Sequence, residues 1–354
     1  MSLCQNCSSV EPIQDEGAIV LRTESDTCTD KLLQFLARHD ISYDRSNDMY
    51  LLPYSSKEKL LVLLSTIKEG VDGRIQNELK FGVRRGNNVP LHQVRFSTLT
   101  QFFSLIQNHD LVTIIQQGRF TSHMQPIVDI RDKRTFGYEF VLRPAGEFPF
   151  KPYELFQVAQ ETGLHSFLDR QARISAIQAS VGVLPNGIKR FINFLPSSIY
   201  NPNYCLSHTF EAVEKYNLNP TDFVFEVVET ERILDMEHLQ SIFRVYQRNG
   251  MKVALDDVGS GFATVEALAQ LKPDFVKIDR DLISDCDTND TKQKKLAEIM
   301  RVSRSLGAQV LAEGIERKEE YLFVLDLGID LAQGYLFGKP APKPHQTDWA
   351  SNQL

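Results

Sequence analysis

No apolar run in the 354-residue sequence reaches the roughly 18 residues that a membrane-spanning helix needs. The opening residues, MSLCQNCSSVEPIQDEG, are polar and lack the apolar stretch of a secretory signal, so a cytoplasmic location with no membrane partner is expected. Positive charge is also scarce: 39 Lys and Arg against 46 Asp and Glu leave a net charge of -7. That balance gives no basic footprint for duplex nucleic acid, while leaving room for a small anionic ligand held by metals and a few placed cations. Cysteine is sparse and odd in number. Cys4, Cys7, Cys28, Cys205 and Cys286 show no disulfide-framework spacing, which fits a reducing compartment. Cys4 and Cys7 form a lone CxxC within residues 1–16. A zinc or redox site needs further ligands or a thioredoxin-like context, so a flexible tail is the simpler reading. The histidines show no HxxxH pairing, and His123 and His165 read as structural. GxSxG, Walker A and GxGxxG motifs are missing, so covalent serine hydrolysis and nucleotide-cofactor chemistry have no support.

The chain is long enough for two domains, and 42% apolar with 24% charged residues is ordinary for a globular protein. Residues 17–106 read as a small α/β unit of sensory or dimerisation type. Ala18–Leu21 is a short strand, and Asp30–Arg38 is helical with Leu32, Leu33, Phe35 and Leu36 inward. Ile41–Tyr43 and Met49–Leu52 suit a hairpin, and Ser55 with Glu58 suits a capping box opening a second helix. Residues 71–95 carry Gly86-Asn87-Asn88 and Pro90 and read as a loop or hairpin exit. Residues 96–117 read as a helix with Leu99, Phe102, Phe103 and Ile106 on one stripe.

From Phe120 onward, strand-like runs alternate with helical stretches such as Asp235–Arg248 and Thr291–Leu306. The runs are SHMQPIVDI, TFGYEFVLR, RFINF, DFVFEVVE, KVALDD, FVKID, AQVLAEG and LAQGYLFG. Such alternation points to a parallel sheet, and eight strands favour closure into a β/α (TIM-like) barrel. The polar residues on these strands carry the chemistry. In chain order they are Glu139, Asn193, Glu226 and Glu229, Asp256-Asp257, Lys277 and Asp279, Glu313, and Gln333. Carboxylates at strand ends converge on the face where barrel active sites sit, and they repel one another unless a cation joins them. All-oxygen ligands suit Mg²⁺ or Mn²⁺ better than zinc. Any one of these acids has an alternative as a local salt bridge or cap, but the whole set would need one such coincidence per strand. Adjacent strand residues point opposite ways, so Asp256 and Asp257 share a site only if the strand breaks there, and Gly259-Ser260-Gly261 offers that break. Lys277, in the apolar run Phe275–Ile278, reads as a partner of a barrel carboxylate or Asp279, or as a cation that contacts phosphate or positions a water.

In this order and spacing, GRFTSHMQPIVDI, YEFVLR, FINFLP, FEVVETE, ALDDVGSGFA, PDFVKID, LAEGIE and AQGYLFGKP resemble the EAL domain of bacterial cyclic di-GMP phosphodiesterases. The resemblance covers residues 107–343, about two thirds of the chain, and leaves 344–354 as a tail. It implies two metal ions, with Glu139, Asn193, Glu226 and Asp256 at one and Asp256, Asp257 and Glu313 at the other. Lys277 and the metals would position the attacking water, with Gln333 supporting it. Gln125, Arg143 and Asp279 would help seat cyclic di-GMP, and Glu316 would contact a guanine. Glu229 would brace the loop from Asp257 to Phe262, which in the family shapes the second metal site and a homodimer contact. The product would be the linear dinucleotide pGpG.

Four positions depart from the family pattern. The signature triplet reads Glu139-Phe140-Val141 instead of Glu-Ala-Leu, and Val258 and Phe262 replace a Phe and a Tyr. These change packing and loop closure, not ligands. Two readings therefore stand: an active phosphodiesterase, or a catalytically weak receptor or protein-interaction module that signals through its N-terminal unit. Receptors of the family commonly lack a ligand or the catalytic glutamate, and here every such position is filled.

Overall fold

A computed structural model describes residues 13–84, 94, 96–146, 148–227, 235–259 and 265–344. Cys4, Cys7, Glu229 and Phe262 lie outside the described residues. The chain divides into two compact units. One holds the residues up to Arg119 together with Pro149–Leu168, and the other holds Phe120–Phe148 and the chain from Asp169.

In the first unit, β1 (Gly17–Thr23), β2 (Asp44–Ser46), β3 (Met49–Tyr54), β4 (Leu79–Arg84) and β5 (Ser97–Thr98) form a sheet of order β2-β3-β1-β4-β5. Every pairing is antiparallel. The helix Asp26–Arg38 buries Leu32, Phe35 and Leu36, and Ser25 caps it by accepting the Cys28 N–H. The second helix, Lys57–Gly70, starts one residue later than the sequence suggests. Ser56 accepts the Lys59 N–H at 3.2 Å, whereas the Ser55 hydroxyl accepts the Lys59 ammonium at 2.9 Å. The hairpin's first strand is displaced to Asp44–Ser46, because Asn47 takes φ 56 and tightens the turn. The segment read as a loop holds a short helix, Gly73–Glu78, and β4, whose Lys80, Gly82 and Arg84 mask its strand character. The single helix expected over 96–117 is two, Leu99–Gln107 and His109–Gln117. They divide at Asn108, whose side-chain amide donates to the Ser104 carbonyl.

The second unit is a closed barrel of β6 (Phe120–Asp129), β7 (Arg134–Pro144), β8 (Lys189–Phe194), β9 (Phe223–Val227), β10 (Lys252–Val258), β11 (Phe275–Ile278), β12 (Gln309–Ala312) and β13 (Leu331–Gln333). Seven strands run parallel, but β6 is antiparallel to both β7 and β13. An all-parallel sheet is thereby corrected. The link Ile130–Lys133 is too short for a parallel crossover and turns β6 directly into β7 as a hairpin. The helices Met236–Arg248, Asp290–Leu306 and Lys318–Leu327 make crossovers between later strands.

Alternating strand residues feed two cores. Outward-facing Phe140, Ile192, Phe225, Leu255 and Val310 join the strand–helix layer. Inward, Ile127, Phe191, Val224, Ala254, Phe275, Leu311 and Leu331 fill the barrel. Phe136, Phe191 and Phe275 meet with ring centroids 5.3 to 6.4 Å apart and close the floor. Each fully buried Leu, Ile, Val or Phe contributes about 1.5–3 kcal/mol, so the barrel interior below the site is a packed support.

Candidate metal centre

Two residues along each parallel strand from that inner layer, on the same face, stands a polar residue. Phe191 leads to Asn193, Val224 to Glu226, Ala254 to Asp256, Phe275 to Lys277, Leu311 to Glu313 and Leu331 to Gln333. On β7 the inner place is Gly137, because a Cβ there would lie 2.6 Å from the Lys189 carbonyl oxygen, and Glu139 follows. On β6 the order is reversed. Gln125 precedes Ile127 and pairs with Glu139, as an antiparallel strand requires.

The polar layer is tightly connected. Lys277 is 1% exposed and its Nζ lies 2.5 Å from Glu226, 2.7 Å from Glu313 and 3.0 Å from Asp256. Asn193 donates to Glu139 Oε1 at 3.1 Å, and Gln333 Nε2 donates to Glu139 Oε2 at 2.6 Å. Asp256, Asp257 and Glu313 bring carboxylate oxygens within 4.8 Å of one another. The adjacent aspartates share the site through a bulge and not through the end of the strand. β10 continues to Val258, but its register against β11 shifts between Leu255 and Val258, and Asp257 takes φ 53. The Asp257 N–H donates to Asp256 Oδ1 at 2.9 Å.

Crowding and burial set the protonation of the layer. Burial pushes the Glu226 and Glu313 carboxyls well up, against the pull of Lys277, and raises Asp256 as well. Asp257 is pushed up to about 7 by burial and then by Asp256. Glu139 is the exception. Burial opposes its ionisation, but Lys277, the amides of Gln333 and Asn193, and Arg143 together hold it below the usual carboxylate range. Burial disfavours the Lys277 ammonium, yet the surrounding carboxylates, Asp256 first, raise it well above the ordinary lysine value.

Five carboxylates therefore share one buried ammonium, and the donor set fits hard divalent cations such as Mg²⁺ or Mn²⁺. Gln333 Oε1 is buried without a hydrogen-bond partner among the described residues, which is a further free oxygen donor beside that layer.

Other expected site residues stand around this layer. Gln125 donates to the Gly338 carbonyl at 3.4 Å, and the Arg143 guanidinium donates to the Leu142 carbonyl at 2.8 Å. Asp279 caps the short helix Arg280–Ile283, and Glu316 pairs with Arg280 at 2.9 Å. Burial and then Arg143 hold the His123 imidazole below its usual value.

A buried network behind Asn193 was not anticipated. Asp169 accepts the Leu195 N–H at 2.9 Å and the Ser198 hydroxyl at 2.6 Å, and pairs with Arg173 at 3.2 Å. Arg173 donates to the Tyr246 hydroxyl at 3.1 Å. The network fixes the turn two residues beyond Asn193. Its signal in the sequence was an opposite-charge i,i+4 pair on a helix that is otherwise packed.

The family profile of the EAL domain matches residues 108–340. The cyclic di-GMP phosphodiesterase PdeF of Escherichia coli is 30% identical over 235 residues, 64% of this chain and 31% of that protein. The cyclic di-GMP phosphodiesterase RocR of Pseudomonas aeruginosa is 26% identical over 68% of this chain and 62% of its own length. The chain thus spans between about a third and just under two thirds of these two curated relatives. A standalone versatile EAL protein from Vibrio cholerae, solved in its c-di-GMP-bound form, superposes with TM-score 0.59 at 31% identity, covering 66% of this chain and 98% of that one. Klebsiella pneumoniae BlrP1, solved as a calcium/cy-diGMP complex, covers 92% of this chain and 96% of its own with TM-score 0.58 at 22% identity, a likeness of fold.

Proposed function

The chain belongs to the EAL domain family, and we propose that its barrel hydrolyses cyclic di-GMP to linear pGpG with two divalent cations. The carrying observation is the polar layer itself: eight successive strands each contribute a polar residue to one level directly above a packed apolar floor. Three of its carboxylates, Glu226, Asp256 and Glu313, converge on one ammonium, that of Lys277.

In this reading Glu139, Asn193, Glu226 and Asp256 hold one ion, and Asp256, Asp257 and Glu313 the other. When bound, the ions acidify a water and offset phosphate charge for in-line displacement. Lys277 keeps its proton among the carboxylates and orients the attacking water by donating to it. Gln333 anchors Glu139 through its amide N–H and has its oxygen free to accept from that water. Arg143, Gln125 and Asp279 seat the dinucleotide, and Glu316 meets a guanine. Glu229 braces the loop that follows Asp257. Chain-specific packing at Phe140 leaves these donors in place, since its ring belongs to the outer layer.

The N-terminal unit regulates the barrel in this reading, and the protein works as a homodimer through the EAL domain, which analytical ultracentrifugation would test. The buried cysteines Cys28, Cys205 and Cys286 form no disulfide among the described residues, which is in keeping with the reducing, cytoplasmic setting of this reading. Among the described residues no helix is long and apolar enough to cross a membrane. The deciding experiment is incubation with cyclic di-GMP and Mg²⁺ or Mn²⁺, with chromatography of the product. Release of pGpG is expected. Tight binding without turnover would select the receptor.

A further inference from the structure

Beyond the polar layer, one buried carboxylate holds two loops by their backbones. Glu320 is 4% exposed and sits in the first turn of the helix Lys318–Leu327. Its Oε2 accepts the backbone N–H groups of Glu316 and Arg317, both at 3.1 Å. Its Oε1 accepts the backbone N–H of Asp285 at 3.0 Å and Nε–H of Arg317 at 3.1 Å. Burial opposes ionisation of Glu320, but the three backbone N–H groups and Arg317 outweigh it and hold the carboxyl below its usual range.

The two loops it joins follow β11 and β12, the strands that carry Lys277 and Glu313. Arg317 adds ion pairs to Asp285 at 3.1 Å and Asp287 at 2.5 Å, and Arg280 adds one to Glu316 at 2.9 Å. Between them the segment after Glu313 is tied at nearly every residue. The Glu313 N–H donates to the Ile278 carbonyl at 3.1 Å, and the Ile315 N–H to the Gln333 carbonyl at 3.0 Å. Gly314 permits the turn with φ +68, and a Cβ there would run into the Arg280 side chain. The remaining ties, at Glu316 and Arg317, end on Glu320.

We propose that Glu320 is a positioning residue that sets where Glu313 and Glu316 stand relative to Lys277. An acid that only capped its own helix would need the N–H groups of Glu316 and Arg317. The bond to Asp285, 35 residues earlier in the chain, serves the other loop. A carboxylate is required because all four hydrogen bonds arrive from donors. A glutamine offers one oxygen, and its NH₂ would face donors on one side.

The inference rests on the phosphodiesterase reading for its meaning, but its test does not need turnover. Mn²⁺ dissociation constants and melting temperatures are measured on the full chain for wild type, Glu320→Gln and Arg317→Ala. Expected is about a tenfold or greater weakening of Mn²⁺ binding in Glu320→Gln, with a matching rise in KM or fall in kcat. Arg317→Ala, which keeps the three backbone bonds, is expected to stay within about threefold of wild type. If Glu320→Gln lowers the melting temperature but leaves Mn²⁺ affinity unchanged, or if Arg317→Ala does equal damage, the proposal is overturned. Should Glu320→Gln not fold, hydrogen exchange on the wild-type chain decides. The amides of Asp285, Glu316 and Arg317 are expected to exchange slowly and together, and fast independent exchange overturns the clamp. A wild-type chain that binds Mn²⁺ but leaves cyclic di-GMP intact would defeat the functional reading and leave this test standing.

Discussion

Lys277 and Glu226, on the strands either side of β10, meet in the polar layer at 2.5 Å, with side chains 1% and 0% exposed. Breaking such a buried pair from one side leaves a charge without compensation and costs about 3–5 kcal/mol. Lys277→Met is therefore expected to lower the melting temperature of the metal-free chain markedly and to abolish turnover. Added Mn²⁺ should restore much of the lost stability, because it supplies the positive charge that the carboxylates lose. Scanning calorimetry with and without Mn²⁺ checks this, and a variant as stable as wild type in chelator would contradict it.

Removing Glu313 separates chemistry from folding. Glu313→Gln is nearly isosteric and lies on the active face of the barrel, whereas stability is concentrated in the floor. Turnover should vanish, with circular dichroism unchanged and cyclic di-GMP binding retained through Arg143 and the other ligands. A rate within a few-fold of wild type would take Glu313 out of the metal site.

Metal identity follows from the donor set. Activity is expected with Mg²⁺ or Mn²⁺ and to stop in chelator. Ca²⁺ should inhibit, since it prefers longer bonds and more ligands than a compact two-ion site supplies. Undiminished hydrolysis in excess chelator would sink the two-metal account.

Asp257 gives a pH dependence with a definite sign. Its carboxyl lies at about 7 in the folded chain against an ordinary 3.8, so folding favours the protonated form. In the metal-free protein that contribution is present below the unfolded value and is lost as pH rises through about 7. A bound cation needs the ionised form, so the stabilisation by Mn²⁺ should widen between about pH 6 and about pH 8. Melting temperatures with and without Mn²⁺ across that range provide the measurement, and a constant gap would remove Asp257 from the metal shell.

The unusual triplet yields a contrast between neighbours. Phe140 is 4% exposed and packs in the strand–helix layer, so Phe140→Ala should cost about 3–5 kcal/mol. Val141 is half-buried, and Val141→Leu should leave stability and rate nearly unchanged. A rate gain above about tenfold in Val141→Leu, worth about 1.4 kcal/mol in the barrier, would mark the triplet as a weakened signature.

The barrel and its ring of acids were legible because strand periodicity puts a polar residue two places beyond each apolar one. The direction of β6 was hidden from that pattern, which reads the same both ways. Only the four-residue link from Ile130 to Lys133 betrayed it. What brings the Asp256 and Asp257 carboxylates together, a left-handed backbone at Asp257, is a conformation that aspartate adopts without announcing it. Glu320 escaped notice because its partners are backbone N–H groups from two loops, and side-chain patterns do not record those. β4 was missed for the opposite reason: its charged and glycine positions outvoted the pairings that β1 and β5 supply.

The reversed first strand has a practical corollary for anyone attaching something to this barrel. Phe120, where β6 starts, is registered with Pro144 at the far end of β7, and Ala341 bridges to Met124 beside it. Phe120 and Ala341 thus lie toward the barrel rim where Glu139, Glu226 and Glu313 stand, and a label placed on either would crowd that rim. The hairpin tip at Arg131–Lys133 belongs to the opposite pole and is exposed. A surface tether or reporter placed there would leave the rim clear, which makes it the rational point of attachment for watching ligand arrive.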